Sequence, residues 1–365
     1  MQYAKISQKI INKEGSAVNT AKRNMDIIIA VDTGNWAVKS ASQKMNTSVS
    51  TPQVGIPFTP GLTRHGQKVP PLSTGALTFE GLHYSISSSQ RLPIRRDKTH
   101  DEDYRLLTLG AIAMEIRNAF PQQDSYGSKD APVTVALALG LPVAHLSLSA
   151  QDGELLRSKY KDFFGFSGKI LDFTFEDKNY TIRIEDVGVF PQSVAAVVAY
   201  PNIYSALRRS LRSYIVDIGG GTTNIIPIIN GKPQNPGMTI EEGGSLELYR
   251  QCMRRTLEEH GVQLDEMMCD GILRGVQTAP VRMFDTLNSC AEDFVRQLIY
   301  KMRGNGIDLT MSGLCFVGGT SLLLQQYIEN EIGRDDISFI DDVSANAKGY
   351  LMLERGRLNT LNAGK

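Results

Sequence analysis

An aspartate followed by a run of glycines and small hydroxylated residues is a pattern suited to phosphate, and the chain carries it at Asp217-Ile218-Gly219-Gly220-Gly221-Thr222-Thr223-Asn224. Glycines adopt backbone angles closed to other residues, so successive N–H groups can converge on phosphate oxygens with no side chain in the way. The carboxylate of Asp217 is suited to hold Mg²⁺ through water, because that ion prefers carboxylate and water oxygens and keeps much of its hydration shell. A glycine-rich turn between two buried strands, with a solvated acid, is the alternative reading of the same residues. A second stretch, Asp32-Thr33-Gly34-Asn35, follows the apolar run Ile28-Ile29-Ala30-Val31 and repeats the idea. Such duplication suggests two related halves facing one nucleotide. Lys39, shortly after that turn, could reach a β- or γ-phosphate as a point charge; a surface lysine is the alternative.

Strands must deliver these residues. Tyr214-Ile215-Val216 is an apolar strand ending at Asp217, with a second apolar strand returning to Ile229, and the buried strand from Ile27 to Val31 leads to Asp32, with Trp36 to Ser40 returning. Residues 41–100 are rich in Ser, Thr, Pro and Gly, with strand-like pieces at Ala76 to Phe79 and Leu82 to Ser85, and read as a small inserted β-containing subdomain. Helical periodicity covers Asp101 to Phe120, and the strand Val133 to Leu139 runs into Gly140-Leu141-Pro142, where open α/β sheets place ligands. Alternating segments Lys169 to Phe175 and Tyr180 to Val187 predict a hairpin around Asp177-Lys178-Asn179. Val189-Phe190-Pro191-Gln192-Ser193 then opens a small-residue helix, Val194 to Tyr200.

Beyond the central hairpin, Glu241-Glu242-Gly243-Gly244 leads into a helix with Leu246, Tyr249, Met253 and Leu257 on one face, stopped by Gly261. Another helix is predicted from about Pro280 to Arg303, with Phe284, Leu287, Ala291, Phe294, Leu298 and Met302 in register. The strand Gly313 to Val317 enters Gly318-Gly319-Thr320-Ser321, a glycine turn opening the helix Leu322 to Ile328. Helix N-termini favour anions, and glycine also lets backbone lie flat against a base or sugar. A final helix is expected from about Ser344 to Arg355.

At 365 residues the chain is long enough for two domains with separate cores. Lys+Arg and Asp+Glu both number 39, so there is no overall basic footprint and direct nucleic-acid binding is disfavoured. The four cysteines, Cys252, Cys269, Cys290 and Cys315, lack metal-ligand spacing and read as reduced, mostly buried thiols of a cytoplasmic protein with no structural metal site. No long apolar run or signal peptide is evident, so no membrane partner is expected. Residues 1–24 are a polar, lysine-rich tail in which Tyr3, Ile6 and Ile10 fall at helical spacing; a short membrane-surface helix is the alternative to a solvated tail.

With three glycine turns in this order, residues 26–356 resemble the actin-like ATPases, the superfamily of actin, the chaperone ATPase domain and the sugar kinases. Asp32 to Lys39 looks like the first phosphate loop, including Thr33, Gly34 and Asn35. Asp217 to Asn224 looks like the second, and Val317 to Ser321 like the adenosine loop. Glu241 and Glu242, ahead of Gly243-Gly244, resemble the ribose-contact region, with the sugar-facing glutamate left open. Within the superfamily the chain looks most like bacterial plasmid-segregation actins of the ParM/StbA type. The resemblance implies an α/β fold of two related domains around a nucleotide cleft: domain I at 25–212 with its insert at 41–100, domain II at 213–343, and a C-terminal helix returning to domain I at 344–365. Val189 to Ser193 resembles the segment that positions the attacking water, but this chain has Gln192 where the best-known segregation actin carries a glutamate. Glutamine orients water by hydrogen bonds and cannot serve as a strong base.

The resemblance further implies slow hydrolysis of ATP, or GTP, coupled to polymerisation, with Asp32 and Asp217 holding Mg²⁺ through water. Filaments would move plasmid DNA through an adaptor protein bound to the centromere. The competing readings are a cell-shape or division actin, which needs membrane attachment, and a small-molecule kinase of the same fold, which needs a further acid. A chaperone-type module would need a peptide-binding domain after Lys365, and a non-enzymatic scaffold would not need Asp32, Gln192 and Asp217 together.

Overall fold

The computed structural model describes residues 25–45, 51–68, 75–93, 95, 97–146, 150–234 and 237–363. The tail expected at 1–24 lies outside them, as do parts of the stretch 41–100. The chain divides into two compact units, one taken from the chain up to Leu141, from Leu148 to Ala199 and from Asn346 onward, the other comprising Pro142–Ser147 and Tyr200–Ala345.

The first unit is built on Ile27–Thr33, whose residues from Ile27 to Asp32 are all buried. A strand covered on both faces reads as a continuous apolar run, which is why this one shows no alternation. It pairs antiparallel with Val38–Lys44 and parallel with Val133–Leu141. Among the described residues the sheet has ten strands, in the order Gln53–Val54, Val38–Lys44, Ile27–Thr33, Val133–Leu141, Lys178–Pro191, Ile170–Phe175, Ala76–Phe79, Leu82–Arg91 and Gly61–Gly66, with Ser125–Tyr126 beside Lys178–Pro191. The strands at 76–91 continue the sheet through Ile170–Phe175. The helix Glu102–Ala119 covers Ile27–Thr33 and Val38–Lys44. Asp101 caps it by accepting from the Asp103 N–H, worth about 1 kcal/mol, and Pro121 follows its end.

Lys178–Pro191 is longer than the alternation of Tyr180 to Val187 predicts, because Val189 and Phe190 go on pairing with Val133–Leu141 as far as Pro191 opposite Leu141. The proline closes the strand where no further ladder bond is required of it. The helix after it is correspondingly short, Val194–Val198. Pro201 starts a new helix, Pro201–Arg209, and pushes Tyr200 out of the helical region to φ −121°, ψ 80°. The final helix, Ala345–Ala363, outruns its expected end at Arg355. Its second half is held by Arg357, whose guanidinium donates to Glu354 at 2.7 and 2.8 Å and to Asp186 at 2.6 Å.

The second unit repeats the opening of the first. Arg212–Ile218 pairs antiparallel with Thr222–Ile229 and parallel with Gly313–Val317, the sheet running Lys232–Pro233, Thr222–Ile229, Arg212–Ile218, Gly313–Val317, Ser338–Phe339, with Met238–Glu241 also on Thr222–Ile229. Ser245–His260, Glu266–Leu273 and Val281–Gly304 pack on one another. The first of these buries Leu246, Tyr249, Cys252 and Thr256; Leu257, predicted on the core face, is 53% exposed. Val281–Gly304 buries the predicted stripe except Phe284, which is 41% exposed. The single helix predicted over Leu322 to Ile328 is two, Gly319–Leu323 and Gln325–Ile332, since the turn glycine Gly319 already has helical backbone and the chain breaks at Leu324. All four cysteines are buried and free.

Candidate functional site

In the first unit the strand end at Asp32 gathers three of the side chains singled out in the sequence. Asp32 is 5% exposed. Lys39 lies directly opposite it in the hairpin register, with Nζ 3.6 Å from Asp32 Oδ2. Gln192 Nε2 approaches Asp32 Oδ1 from the end of the Lys178–Pro191 strand at 3.5 Å. A carboxylate and an ammonium from one hairpin thus meet an amide 160 residues further along the chain.

Gly34 makes the turn between them tight, its N–H donating to Asp32 O at 2.9 Å. A Cβ on Gly34 would lie 2.7 Å from Ala37 O and 2.9 Å from Lys39 Nζ, so a larger residue would displace the lysine. Asn35 Oδ1 is buried with no hydrogen-bond partner. The strand carrying Lys39 is clamped from behind: Ser40 and Ser42 hydroxyls each donate to the buried Glu115 at 2.6 Å. Burial pushes the Glu115 carboxyl up, and the two hydroxyls and the Gly55 N–H pull it partly back.

Two residues of this half-site carry no signal in the sequence pattern. Lys98 donates from Nζ to the Thr33 carbonyl and, at 3.2 Å, to Thr33 Oγ1. It stands on a short 3₁₀ turn, Lys98–His100, capped by Asp97. Burial lowers its pKa to about 8, with the Asp32 carboxylate raising it and the Lys39 charge lowering it further. Arg91 braces the loop by donating to Asn35 O at 3.2 Å and Trp36 O at 2.9 Å, its guanidinium 4.1 Å from the Trp36 ring centre. Both lie in a polar region without periodicity, where only the fold brings them to the loop.

Gln192 sits between a strand and a strained residue. Its N–H donates to Leu141 O at 2.8 Å, continuing the parallel ladder one residue past Pro191. Ser193, which follows, has φ 67° and ψ −47°. A non-glycine residue there costs on the order of 1–3 kcal/mol and is kept only where surrounding structure enforces it. Gln192 itself does not cap the following helix; that position belongs to Ser193, whose side chain makes no capping bond.

The second unit brings its glycine turns together. Asp217, 5% exposed, pairs with Asn224 on one side and Val317 on the other. The hairpin closes through Gly219 N–H to Thr222 O at 3.0 Å. Gly219 O accepts from Ser245 N at 3.1 Å and from Thr320 Oγ1 at 3.0 Å, and Gly220 O accepts from Leu246 N at 2.9 Å. The first two N–H groups of the Ser245–His260 helix are therefore taken by hairpin carbonyls. Gly244 permits this contact, since a Cβ there would lie 2.4 Å from Gly220 O. With the carbonyls engaged, the N–H groups of Gly220 and Gly221 have no hydrogen-bond acceptor among the described residues, although Gly220 is buried. A buried N–H without a partner requires an explanation, and an anionic oxygen would supply one.

Gly318, at φ 97°, lies against the same strand: a Cβ there would be 2.5 Å from Ile218 O and 2.9 Å from Asp217 Oδ1. Ser321 Oγ donates to Gly318 O at 2.7 Å, and Arg274, paired with Asp270 at 2.9 and 3.0 Å, reaches Gly319 O at 3.3 Å. Several predicted ligand contacts are occupied within the protein. Thr223 Oγ1 donates to Gly243 O at 2.5 Å, and Asn224 Oδ1 accepts from Thr239 at 2.9 Å. Thr222 stands opposite Glu241 in the ladder. Glu241 and Glu242 are both exposed, the latter at φ 53°, and Glu242 opens with Gly243, Glu247, Gln251 and Lys301 onto a cavity of about 160 Å³ that includes none of the phosphate-turn residues.

The donor sets suit Mg²⁺ held through water. Each half offers one buried strand-end carboxylate, Asp32 or Asp217, and the unpartnered Asn35 Oδ1 is an acceptor that a metal-bound water would satisfy. No group of three His, Cys, Asp or Glu able to hold a metal directly occurs among the described residues.

No protein-family model and no curated protein matches the sequence. Solved structures do. Apo pSK41 ParM matches with a TM-score of 0.63 at 14% identity, covering 92% of this chain and 99% of that one. A 15-stranded ParM filament from Clostridium botulinum gives 0.65 at 18% identity, over 91% and 99%. The archaeal actin homologue Ta0583 in complex with ADP gives 0.64 at 15%, over 91% and 99%. Coverage of nearly the whole of both chains, with the duplicated hairpins and strand-end aspartates described above, shows that this chain has the actin-like α/β fold of ParM and the archaeal actin homologues.

Proposed function

We propose that this chain is a nucleotide-dependent, filament-forming actin-like ATPase. The observation that carries the reading is Asp32 with Gln192 at 3.5 Å and Lys39 at 3.6 Å. That grouping supplies a water-orienting amide, a phosphate-seeking cation and an acid for metal-bound water at one strand end. Asp32 and Asp217 would hold Mg²⁺ through water, and the bound ion would offset phosphate charge.

In this reading the N–H groups of Gly220 and Gly221 cradle phosphate oxygens, and Lys39 leaves Asp32 to stabilise charge on the γ-phosphoryl group as it transfers. Gln192 aligns the attacking water for in-line displacement. Because glutamine takes up no proton at neutral pH, turnover is slow. Of the structures alike in fold, one is a ParM filament and one holds ADP, which supports self-association and nucleotide binding here. ATP, or GTP, is the substrate, and filaments move plasmid DNA in the cytoplasm through an adaptor bound to the centromere.

Phosphate release and pelleting, measured with and without Mg-ATP and Mg-GTP, test the proposal. Nucleotide-dependent pelleting with slow phosphate release is expected. Gly220→Val should abolish both, by setting a branched side chain where phosphate must approach. Equal pelleting without nucleotide, or none with either nucleotide, would overturn the filament reading and favour a soluble kinase.

A further inference from the structure

Gln192 is useful to hydrolysis only if its side chain stays aimed at the point where Asp32 and Lys39 meet, and the backbone that aims it is unusual. Val194 N–H donates to Gln192 O at 2.7 Å across a single intervening residue, Ser193. With φ 67° and ψ −47° at its centre, this is a γ-turn of the rare, strained hand. Relaxation of Ser193 to an ordinary negative φ would rotate the peptide joining it to Gln192 and turn that side chain away from Asp32. Something must hold the turn.

One such hold comes from the far end of the sequence. Ser193 N–H donates to Asn346 Oδ1 at 2.9 Å. The amide orientation follows from the partner, since a backbone N–H can only donate and must face the oxygen. Ser193 is 1% exposed and Asn346 9%, so water has little access to replace the bond. The start of the C-terminal helix is seated closely here as well: a Cβ on Gly349 would lie 1.9 Å from Ala195 O. Asn346 is also the residue at which the chain re-enters the first unit.

We infer that Asn346 is a positioning residue for hydrolysis, holding Gln192 in its water-orienting place by accepting the Ser193 N–H and so maintaining the strained turn. The inference rests on the hydrolytic reading of the Asp32 half-site. Asn346 touches neither nucleotide nor water in this role. Its effect therefore falls on turnover and not on binding, and it depends on the strain at residue 193.

The test is steady-state hydrolysis of Mg-ATP, with thermal melting, by wild type, Asn346→Ala, Ser193→Gly and the double variant. Asn346→Ala should lower kcat by about tenfold to a hundredfold, the scale of a small misplacement at a reacting centre, with KM within about twofold and the melting midpoint little changed. Glycine holds a positive φ without strain, so in the Ser193→Gly background the same substitution should cost less than about threefold. Wild-type kcat in Asn346→Ala, equal losses in both backgrounds, or a loss that tracks a fall in melting midpoint would overturn the inference. A wild type that hydrolyses neither ATP nor GTP would instead remove the hydrolytic reading, and the wild-type control reveals that before any variant is compared.

Discussion

Gly318 and Gly319 are adjacent and alike in sequence, yet the structure separates their roles sharply. Gly318 has φ 97° and ψ 151°, a region almost confined to glycine. A Cβ there would lie 2.5 Å from Ile218 O, 2.9 Å from Asp217 Oδ1 and 3.2 Å from Ile218 C. Two of these obstacles are backbone of the strand that carries Asp217, and they cannot swing aside. Conformational strain of about 1–3 kcal/mol and overpacking of about 1–3 kcal/mol give roughly 2–6 kcal/mol lost by Gly318→Ala. That is a large share of a stability of about 5–15 kcal/mol. Gly319 is the control: its Cβ would meet only Val343 Cγ1 at 3.4 Å, and it begins the helix Gly319–Leu323, where alanine is preferred by up to about 1 kcal/mol. Urea unfolding and equilibrium nucleotide binding on both variants compare them. Gly318→Ala should unfold at much lower urea and lose nucleotide affinity, because relief of the clash displaces Asp217, while Gly319→Ala should match wild type within about 1 kcal/mol. Equal midpoints and normal binding in both variants would refute the packing of the Gly318 turn against Asp217.

Gln192→Ala should slow hydrolysis by roughly one to three orders of magnitude while nucleotide binding is retained; a parallel loss of binding in a titration would make Gln192 structural. Asp217→Ala should abolish phosphate release with the fold kept, and near-normal turnover with unchanged Mg²⁺ dependence would remove that hairpin from the mechanism. Lys98, lowered by burial to about 8, releases its proton in the native state well below the roughly 10.4 of an unfolded lysine. Its contribution to stability is therefore most favourable above the unfolded value and is lost as pH falls through about 8. Lys98→Met should remove that pH dependence, so the stability difference between variant and wild type should change between pH 7 and pH 10; an unchanged difference in melting midpoint would mean that the ammonium is not desolvated.

What was legible in the sequence was what local chemistry dictates. The runs Ile27 to Val31 and Tyr214 to Val216 are apolar because both faces are covered, and each ends on an aspartate that the structure buries at a strand end. Glycines at 219–221, 244 and 318 stand where carbonyls or backbone come too close for a side chain, or where N–H groups are left without acceptors. Element ends were less legible, since pairing with a distant strand decides them: Val189 and Phe190 look like the approach to a helix, and only the partner Val133–Leu141 makes them strand.

The long-range contacts of the candidate site were not legible at all, and the reason is physical. Lys98 acts through a carbonyl 65 residues away, and Asn346 through an N–H 153 residues away. Neither bond has any local sequence requirement beyond a long cation or a short amide. Lys98, in a polar stretch, reads as solvated, and Asn346, between two alanines, reads as an ordinary helix start. The strain at Ser193 is equally silent, because a serine ahead of a small-residue helix is what an ordinary N-cap looks like. A serine that keeps the φ of a glycine must be held by its neighbours, so the sequence offers Gln192 as a candidate while the tertiary fold determines whether it points at Asp32.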